Sequence, residues 1–259
     1  MEEKTEVKKP IDRLDVENEA LYVREENLLA LIRNADFVET IFHFWLHKKP
    51  SENEKKMLNA VLVSFCGGFN ITVPVILSAR MAATTRAPIA QCLAAGFCSG
   101  GPAHTSAIAE IMKVYHSVEV EGIEAYVEEM GKKKQRIPGF GHPIFKRDPR
   151  PPVLKQLCKD LGVAGKNIEK FERIEKMLWE KKGIYGNIDG INGAVLSDLG
   201  FDDPSYGPAL FLLSRSLAMT AHVIEEYGNK PFAAIGPVLS GYRALEPNPK
   251  KGSGDEILF

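Results

Sequence analysis

Apolar side chains recur every three to four residues along most of this chain, the spacing that places them on one face of an α-helix. Between residues 167 and 181, for example, Phe171, Ile174 and Leu178 follow this spacing. Comparable patterns predict further helices over residues 105–117, 121–130, 153–160 and 206–226. No segment shows the sustained alternation of apolar and polar residues that a half-buried strand needs. The pattern therefore predicts an all-α fold.

Local signals place several helix boundaries. Ser51 and Glu54 have the spacing of a capping box, in which each side chain binds a backbone N–H of the first helical turn. This pair predicts a helix that begins just after Ser51. Pro74 and Pro88 interrupt the apolar region that follows, because proline lacks the N–H that a continuous helix requires.

Two long segments are poor in charge. Residues 57–109 carry only Arg80 and Arg86, and residues 204–224 carry only Arg215. Glycine, proline, serine and threonine interrupt both segments, so neither is the unbroken apolar run that a membrane span requires. We interpret both as buried core or as an interface between subunits.

The overall composition narrows the choice of partners. The 259 residues include 33 basic and 34 acidic side chains, for a net charge of −1, which disfavours nucleic acid or an anionic membrane as the general partner. The four cysteines lack the spacing of metal ligands, so we expect free thiols in a reducing compartment and no metal. The first 18 residues are highly charged and show no secretory signal. These features predict a cytoplasmic protein.

The segment PGFGHP, residues 138–143, carries the strongest chemical signal. Two glycines two residues apart let the backbone approach a ligand closely, and His142 at the end of this turn can exchange protons near neutral pH. Lys146, Arg147 and Arg150 follow it and are suited to bind carboxylates or phosphates. The segment predicts an acid/base site for an anionic substrate.

Two further titratable residues precede buried helices. His104 follows the turn SGGPA, where the dipole at a helix N-terminus favours a neutral imidazole that can donate to a developing oxyanion. Asp189 lies in the segment NIDG. Taken singly, each is more often a packing or turn residue. Together, two histidines and one aspartate suit proton transfer at carbon next to a thioester.

Four blocks resemble the citrate synthase superfamily: GPAH ending at His104, PGFGH followed by DPR, NIDG, and the segment 210–215 that ends at Arg215. Their order and spacing extend over residues 51–243. The resemblance implies a citrate synthase-like fold with two helical domains. The larger domain would comprise residues 1–103 and 201–259, and residues 104–200 would form a smaller domain that closes over coenzyme A.

The resemblance also implies roles for individual residues. His104 would steady the enol of acetyl-CoA, Asp189 would move the proton on carbon, and His142 would take the proton from the substrate hydroxyl. Substrate carboxylates would be held by Arg150, Arg215 and Lys230, the last acting in a partner's site within a homo-oligomer, by default a dimer. Coenzyme A, present only as part of substrate and product, would be bound by Pro138, Gly139, Phe140, Gly141, Lys146 and Arg147, and the cluster at residues 132–136 is a further candidate for its phosphates.

The length of the chain favours one branch of the superfamily. Synthases of this family are longer, whereas this size resembles citryl-CoA lyase, either free-standing or as the C-terminal module of ATP-citrate lyase. The expected reaction is cleavage of citryl-CoA to acetyl-CoA and oxaloacetate, as in reductive citrate cleavage. The alternatives are a short citrate or 2-methylcitrate synthase and a non-catalytic CoA-binding homologue.

Three departures from the family pattern bear on these alternatives. Phe65 occupies the place of a histidine that contacts substrate in the family, and phenylalanine cannot donate a hydrogen bond. The loop from His142 to Arg150 is one residue shorter than usual, and Lys230 replaces an arginine whose bidentate fork lysine cannot reproduce.

Overall fold

The helices predicted from the sequence are present, and the all-α class is confirmed. The computed structural model describes residues 11–67 and 73–232, apart from the side chain of Ala103. The strands are β1 (Asp12–Asp15), β2 (Ala20–Val23) and β3 (Glu26–Asn27). The helices are α1 (Leu28–Asn34), α2 (Phe37–Leu46), α3 (Glu52–Cys66), α4 (Pro74–Thr84), α5 (Ile89–Cys98), α6 (Pro102–Ser117), α7 (Ile123–Lys132), α8 (Arg150–Asp160), α9 (Lys166–Lys182), α10 (Ile188–Asp198) and α11 (Tyr206–Tyr227), with a single 3₁₀ turn at Val120–Gly122.

A small antiparallel sheet near the start of the chain was not predicted. Its strands pair in the order β1-β2-β3, and the register of the first pair runs from Asp12 opposite Val23 to Asp15 opposite Ala20. The longest of these strands has four residues. Four residues are too few to show sustained alternation, so the hydrophobic pattern gave no signal for this sheet.

Helix boundaries follow the predicted local signals. The Ser51 hydroxyl accepts from the Glu54 N–H at 3.2 Å, and the Glu54 carboxylate accepts from the Ser51 N–H at 2.7 Å, which confirms the capping box of α3. Helix α4 begins at Pro74, and α5 begins directly after Pro88. The prolines thus divide the charge-poor segment as expected.

Helix α10 lies at the centre of the main hydrophobic core. Nearly all of its residues from Ile188 to Ser197 are buried, and it packs mainly against α6 and α9. A second, smaller core lies between α4, α5 and α11. The first turn of α10, which carries Asp189, is therefore held on a rigid element.

Helix α11 is long and apolar enough, by length and composition, to cross a membrane, and it is the one helix of this kind in the described part of the chain. Core helices of soluble proteins pass the same test, and α11 packs against α3, α4 and α6. The predicted division between residues 1–103 with 201–259 and residues 104–200 stays a prediction, and its outer ends lie beyond the described residues.

Candidate active site

The turn that carries His142 is bound to the segment preceding α10. Gly139 and Gly141 adopt φ values of +80° and +87°, a left-handed conformation that favours glycine. The Gly141 N–H donates to the Tyr185 carbonyl at 2.8 Å. Asn187 donates from its backbone to the Gly139 carbonyl at 2.9 Å and from its side chain to the Gly141 carbonyl at 2.7 Å. These bonds fix the His142 turn against the start of α10.

The contact between Gly139 and Gly190 brings the two segments closer than any side chain would allow. A Cβ atom on Gly139 would lie 2.6 Å from the Gly190 Cα atom, and a Cβ atom on Gly190 would lie 2.3 Å from the Gly139 carbonyl oxygen. Both positions therefore require glycine. This close approach places the His142 turn beside Asp189, which directly precedes Gly190.

The hydrogen bonds of His142 determine which of its nitrogens carries the proton. Its Nδ1 atom accepts from the backbone N–H groups of Ile144 and Phe145, each at 3.0 Å, so the neutral ring carries its proton on Nε2. Burial lowers the pKa of His142, an effect opposed by the charge of Asp148 and reinforced by that of Arg150. The neutral ring is thus a donor at Nε2, which favours stabilising the substrate oxygen over the predicted role of accepting the hydroxyl proton.

Asp189 lies in the first turn of α10, where Asn187 is the N-cap. The Asn187 side-chain oxygen accepts from the N–H groups of Asp189 and Gly190 at 3.0 and 3.2 Å. Burial raises the pKa of the Asp189 carboxyl to about 6, the charges of Arg150 and Arg215 oppose this rise, and that of Asp148 adds to it. A carboxyl group with this pKa can both accept and donate a proton near neutral pH.

His104 is the third residue of α6 and presents an unsatisfied nitrogen to the interior. Its Nε2 atom is buried and has no hydrogen-bond partner within the described residues. The ring makes a T-shaped contact with Phe211, at 5.6 Å between centroids and an angle of 85°. Burial lowers the pKa of His104, and the charge of Arg215 lowers it further. A neutral, buried imidazole of this kind is suited to donate to an enolate oxygen.

Arg215 is a buried guanidinium with unused donors. The residue is 2% exposed, and its Nε and Nη1 atoms have no hydrogen-bond partner among residues 11–67 and 73–232. The guanidinium lies over the Phe211 ring at 4.9 Å. Burial lowers the pKa of Arg215 to about 10, and the charge of Arg150 lowers it further, while Asp189 opposes both. Since unpaired buried donors are costly, this arrangement is typical of a site that receives a carboxylate ligand.

Arg150, by contrast, is already paired within the chain. Its Nε and Nη2 atoms donate to the two oxygens of Asp148 at 2.9 and 2.8 Å, and Nη1 donates to the Ser64 carbonyl at 3.4 Å. The fork formed by Nε and Nη2 therefore binds Asp148. The carboxylate-binding role predicted for Arg150 stays a prediction, and it would use the Nη1 side of the guanidinium.

Phe65 lies behind the site. Its side chain is fully buried, and its ring meets Phe211 at 5.2 Å between centroids with an angle of 74°. It therefore supports the ring that contacts both His104 and Arg215. We expected Phe65 to occupy a substrate-contacting position, and in this structure the ring has no exposed surface with which to make such a contact.

A cavity of about 620 Å³ adjoins the His142 turn, within the size range of small-molecule sites. Phe140 and Gly141, two of the residues predicted to bind coenzyme A, line it. Its other lining residues include apolar side chains at Val127, Met130, Ile137, Leu178 and Ile184 and cationic side chains at Lys132, Lys134, Arg136, Lys181 and Lys182.

Of the residues predicted to bind coenzyme A, Pro138, Gly139, Lys146 and Arg147 do not line this cavity, and neither do Arg150, Arg215 and Lys230, predicted to bind substrate carboxylates. Lys146 and Arg147 are exposed, and the Arg147 guanidinium lies over the Tyr185 ring at 4.6 Å. Lys230 is exposed beyond the end of α11, and no contact with the site residues is found within the described residues. A role for Lys230 in a partner's site stays a prediction.

The sequence patterns missed two lysines of the cavity. Lys181 and Lys182 end α9, and in the sequence they read as the solvated end of an amphipathic helix. Only the packing of α9 against α7 brings them to the same cavity as residues 132–136. In the sequence, only their position a few residues before Asp189 could have indicated that these lysines lie near the site.

Comparison with known proteins agrees with this fold. The family model described as citrate synthase, C-terminal domain, matches residues 17–235. The chain belongs to the citrate synthase family. Among family members, the citrate synthase of Heyndrickxia coagulans is 30% identical over 207 residues, which cover 76% of this chain and 54% of that protein. The chain thus spans about half the length of this curated relative.

Two solved structures of the citrate synthase fold are also similar. The citryl-CoA lyase of Hydrogenobacter thermophilus matches with a TM-score of 0.79 and 28% identity over 98% of both chains. The ATP citrate lyase of Methanothrix soehngenii, solved with citrate and coenzyme A, matches with a TM-score of 0.71 and 22% identity over 85% of this chain and 39% of that one. The second likeness is one of fold alone.

Proposed function

We propose that this member of the citrate synthase family is a citryl-CoA lyase that cleaves citryl-CoA into acetyl-CoA and oxaloacetate. The observation that carries the proposal is the match to a citryl-CoA lyase over 98% of both chains. His104, His142 and Asp189 would serve carbon-acid chemistry in either direction, so the direction of cleavage is proposed from the likeness to the lyase.

The chemistry of cleavage fits these side chains. The substrate hydroxyl would release its proton to water as it becomes a ketone, while the adjacent carbon–carbon bond breaks and its electron pair passes to the thioester as an enolate. The Nε2–H of His142 would hold the oxygen that becomes the ketone, and His104 would donate to the enolate oxygen. Protonated Asp189 would then deliver a proton to the enolate carbon, and its pKa of about 6 keeps part of the population protonated near neutral pH. A proton from water would restore Asp189 after it has protonated the carbon.

A short citrate synthase is the second candidate. It is favoured by the 30% identity to the Heyndrickxia coagulans citrate synthase and by a 35% identity over 134 residues to citrate synthase 2 of Bacillus subtilis. Microscopic reversibility gives both enzymes the same catalytic groups. The difference lies in whether citryl-CoA leaves as two products or is hydrolysed to citrate and coenzyme A.

The experiment that separates the two candidates measures the fate of citryl-CoA. Purified protein is given citryl-CoA, and acetyl-CoA, oxaloacetate, citrate and free coenzyme A are quantified in the same samples. A lyase releases acetyl-CoA and oxaloacetate with little citrate. Accumulation of citrate and free coenzyme A, together with net citrate formation from acetyl-CoA and oxaloacetate, would assign a synthase.

Replacing Arg215 by Met is expected to weaken substrate binding without unfolding the protein. Hydrogen bonds to a charged group contribute about 1.5–3 kcal/mol, so KM for citryl-CoA should rise about 10- to 100-fold. Removing a buried, unpaired charge should leave the free energy of unfolding unchanged or higher. Steady-state kinetics and denaturant unfolding check both points. Arg173→Met, which removes a partly exposed arginine paired with Glu169, should leave KM unchanged, and an unchanged KM in Arg215→Met would contradict the role.

Replacing Lys182 by Ala tests the cavity as the coenzyme A site. Loss of one cation near a phosphate should raise KM for citryl-CoA about 3- to 10-fold at low ionic strength, with a smaller effect in 0.5 M salt because screening weakens such pairs. The turnover number should not change. Lys176→Ala removes an exposed lysine of the same helix that does not line the cavity, and equal effects in the two variants would argue against the assignment.

We also propose that the protein forms a homo-oligomer through α5 and α11. Large apolar side chains are exposed on these neighbouring helices, among them Leu217 (65% exposed) and Ile224 (59%) on α11 and Ile89 on α5. Light scattering should give a mass at least twice the 28.7 kDa of one chain. Leu217→Arg should lower it toward one chain, whereas Val153→Arg, at an exposed apolar position of α8, should not. A single-chain mass for the unmodified protein would contradict the proposal.

A further inference from the structure

We propose that Asp148 is a positioning residue that holds Asp189 and Arg150 in a fixed relation and sets the charge around Asp189. In the sequence, Asp148 is the first residue of the DPR motif. In the structure it is a buried carboxylate at the junction of three elements. Its role in turnover rests on the proposed function, whereas its effect on Asp189 does not.

The first contact of Asp148 is with the start of α8. The carboxylate is fully buried, and it accepts from the Nε and Nη2 atoms of Arg150 at 2.9 and 2.8 Å and from the Arg150 backbone N–H at 3.0 Å. Three bonds between residues two apart in the sequence define the direction of the Arg150 side chain. The two side chains act as one neutral unit, since a buried carboxylate paired with a guanidinium cancels its charge.

The second contact is with the start of α10. The Asp148 Oδ2 atom accepts from the Ile188 N–H at 3.2 Å. The N–H groups of the first turn have no partner within their own helix, so a carboxylate here both satisfies one of them and fixes the helix end. Asp189 is the next residue. Asp148 therefore ties the loop that follows His142, the start of α8 and the residue before Asp189 to one another.

Electrostatics gives this geometry a measurable consequence. The charge of Asp148 raises the pKa of Asp189, whereas the charges of Arg150 and Arg215 lower it. Other titratable groups face this region. Tyr115 on α6 donates to the Gly190 carbonyl, Glu175 on α9 accepts from the Gly186 N–H, and the charge of Asp148 also acts on His142. His104 on α6 and Cys66 on α3 lie within the influence of Arg215. Asp148→Asn would remove a negative charge that raises the pKa of Asp189. It would also leave the positive charge of Arg150, which lowers that pKa, without its partner. Both effects would lower the pKa of Asp189.

An NMR titration tests the inference without substrate. The protein is labelled with ¹³C at the aspartate carboxyl groups, and the Asp189 signal is identified as the one lost in Asp189→Asn. We expect it to titrate near pH 6 in the unmodified protein and at least half a pH unit lower in Asp148→Asn. Asp160→Asn makes the same chemical change at an exposed position of α8 and should leave the midpoint unchanged. An unchanged midpoint in Asp148→Asn would overturn the proposal.

A second variant keeps the proposal testable if Asp148→Asn does not fold. Asp148→Glu retains the charge and displaces the carboxylate by one methylene group. The Asp189 midpoint should then stay near its original value while the turnover number on citryl-CoA falls at least tenfold, because the first turn of α10 is no longer held in place. Unchanged turnover in Asp148→Glu would overturn the positioning role. Absence of turnover in the unmodified protein would count against the proposed function, and the titration would still decide on Asp148.

Discussion

Asp189→Asn is expected to reduce turnover of citryl-CoA by about 10³-fold or more. Positioned acid/base groups contribute roughly 10²–10⁴-fold each, and the asparagine amide cannot deliver a proton to the enolate carbon. The N-cap bonds from Asn187 to the first turn of α10 use backbone N–H groups, so the variant should keep them. Single-turnover assays with citryl-CoA measure the loss. Asp160→Asn should keep full activity, and residual activity within tenfold in Asp189→Asn would exclude Asp189 as the carbon acid.

The same substitution should stabilise the protein at neutral pH. The carboxyl pKa is about 6 in the folded protein and near its ordinary 3.8 in the unfolded chain, so the folded state binds the proton more tightly. The free energy of unfolding therefore falls as pH rises from about 4 through 6. The difference between the two pKa values corresponds to about 3 kcal/mol for a fully buried carboxyl group, and solvent screening reduces this to about 1–2 kcal/mol for a partly exposed one. Asp189→Asn lacks this cost. Denaturant unfolding should show its advantage at pH 7.5 and a smaller one at pH 4.5, and no gain at pH 7.5 would contradict the raised pKa.

Gly139→Ala is expected to lower both the stability and the turnover of the protein. The new Cβ atom would lie 2.6 Å from the Gly190 Cα atom, and the residue would keep a φ of +80° that alanine disfavours. Left-handed strain costs about 1–2 kcal/mol and overpacking about 1–3 kcal/mol, so the free energy of unfolding should fall by about 3 kcal/mol. Separation of the His142 turn from Asp189 should also lower turnover at least 100-fold.

Gly162→Ala is the matched control for that substitution. Gly162 lies in the turn between α8 and α9 with a φ of +65°, and no atom lies within 4 Å of the position of its Cβ atom. Only the backbone strain should remain, so the loss of stability should be about 1 kcal/mol with turnover unchanged. Equal losses in the two variants would show that the Gly139–Gly190 contact has no special importance for the site.

The sequence predicted the helices well because their apolar faces repeat over several turns. The face formed by Phe171, Ile174 and Leu178 is an example, and all three side chains are buried in α9. The same criterion missed the strands Asp12–Asp15 and Ala20–Val23, because four residues pair through their backbones without a lasting pattern of side chains. Hydrophobic periodicity therefore identifies the long helices and does not identify strands of four residues.

The sequence indicated candidate site residues and gave no information on the contacts between them. Motif order selected His104, His142 and Asp189, and their role in catalysis stays a prediction. In the structure the charge of Arg215 acts on His104 and Asp189, and the turn that carries His142 is bound to the start of α10. The sequence did not indicate that Asp148 pairs with Arg150, because the motif shows the two residues only as neighbouring polar residues of a loop. The structure shows two hydrogen bonds between their side chains. The orientation of His142 depends on two backbone N–H groups of its own turn, which no motif encodes.

The measurement that tests the central claim most directly is the stoichiometry of products from citryl-CoA. Purified protein is incubated with citryl-CoA, oxaloacetate is followed by coupled NADH oxidation, and acetyl-CoA is quantified by chromatography. The proposed function predicts one acetyl-CoA and one oxaloacetate for each citryl-CoA consumed, with both lost in Asp189→Asn. Release of free coenzyme A and citrate, or no reaction by folded protein that still binds coenzyme A, would contradict it.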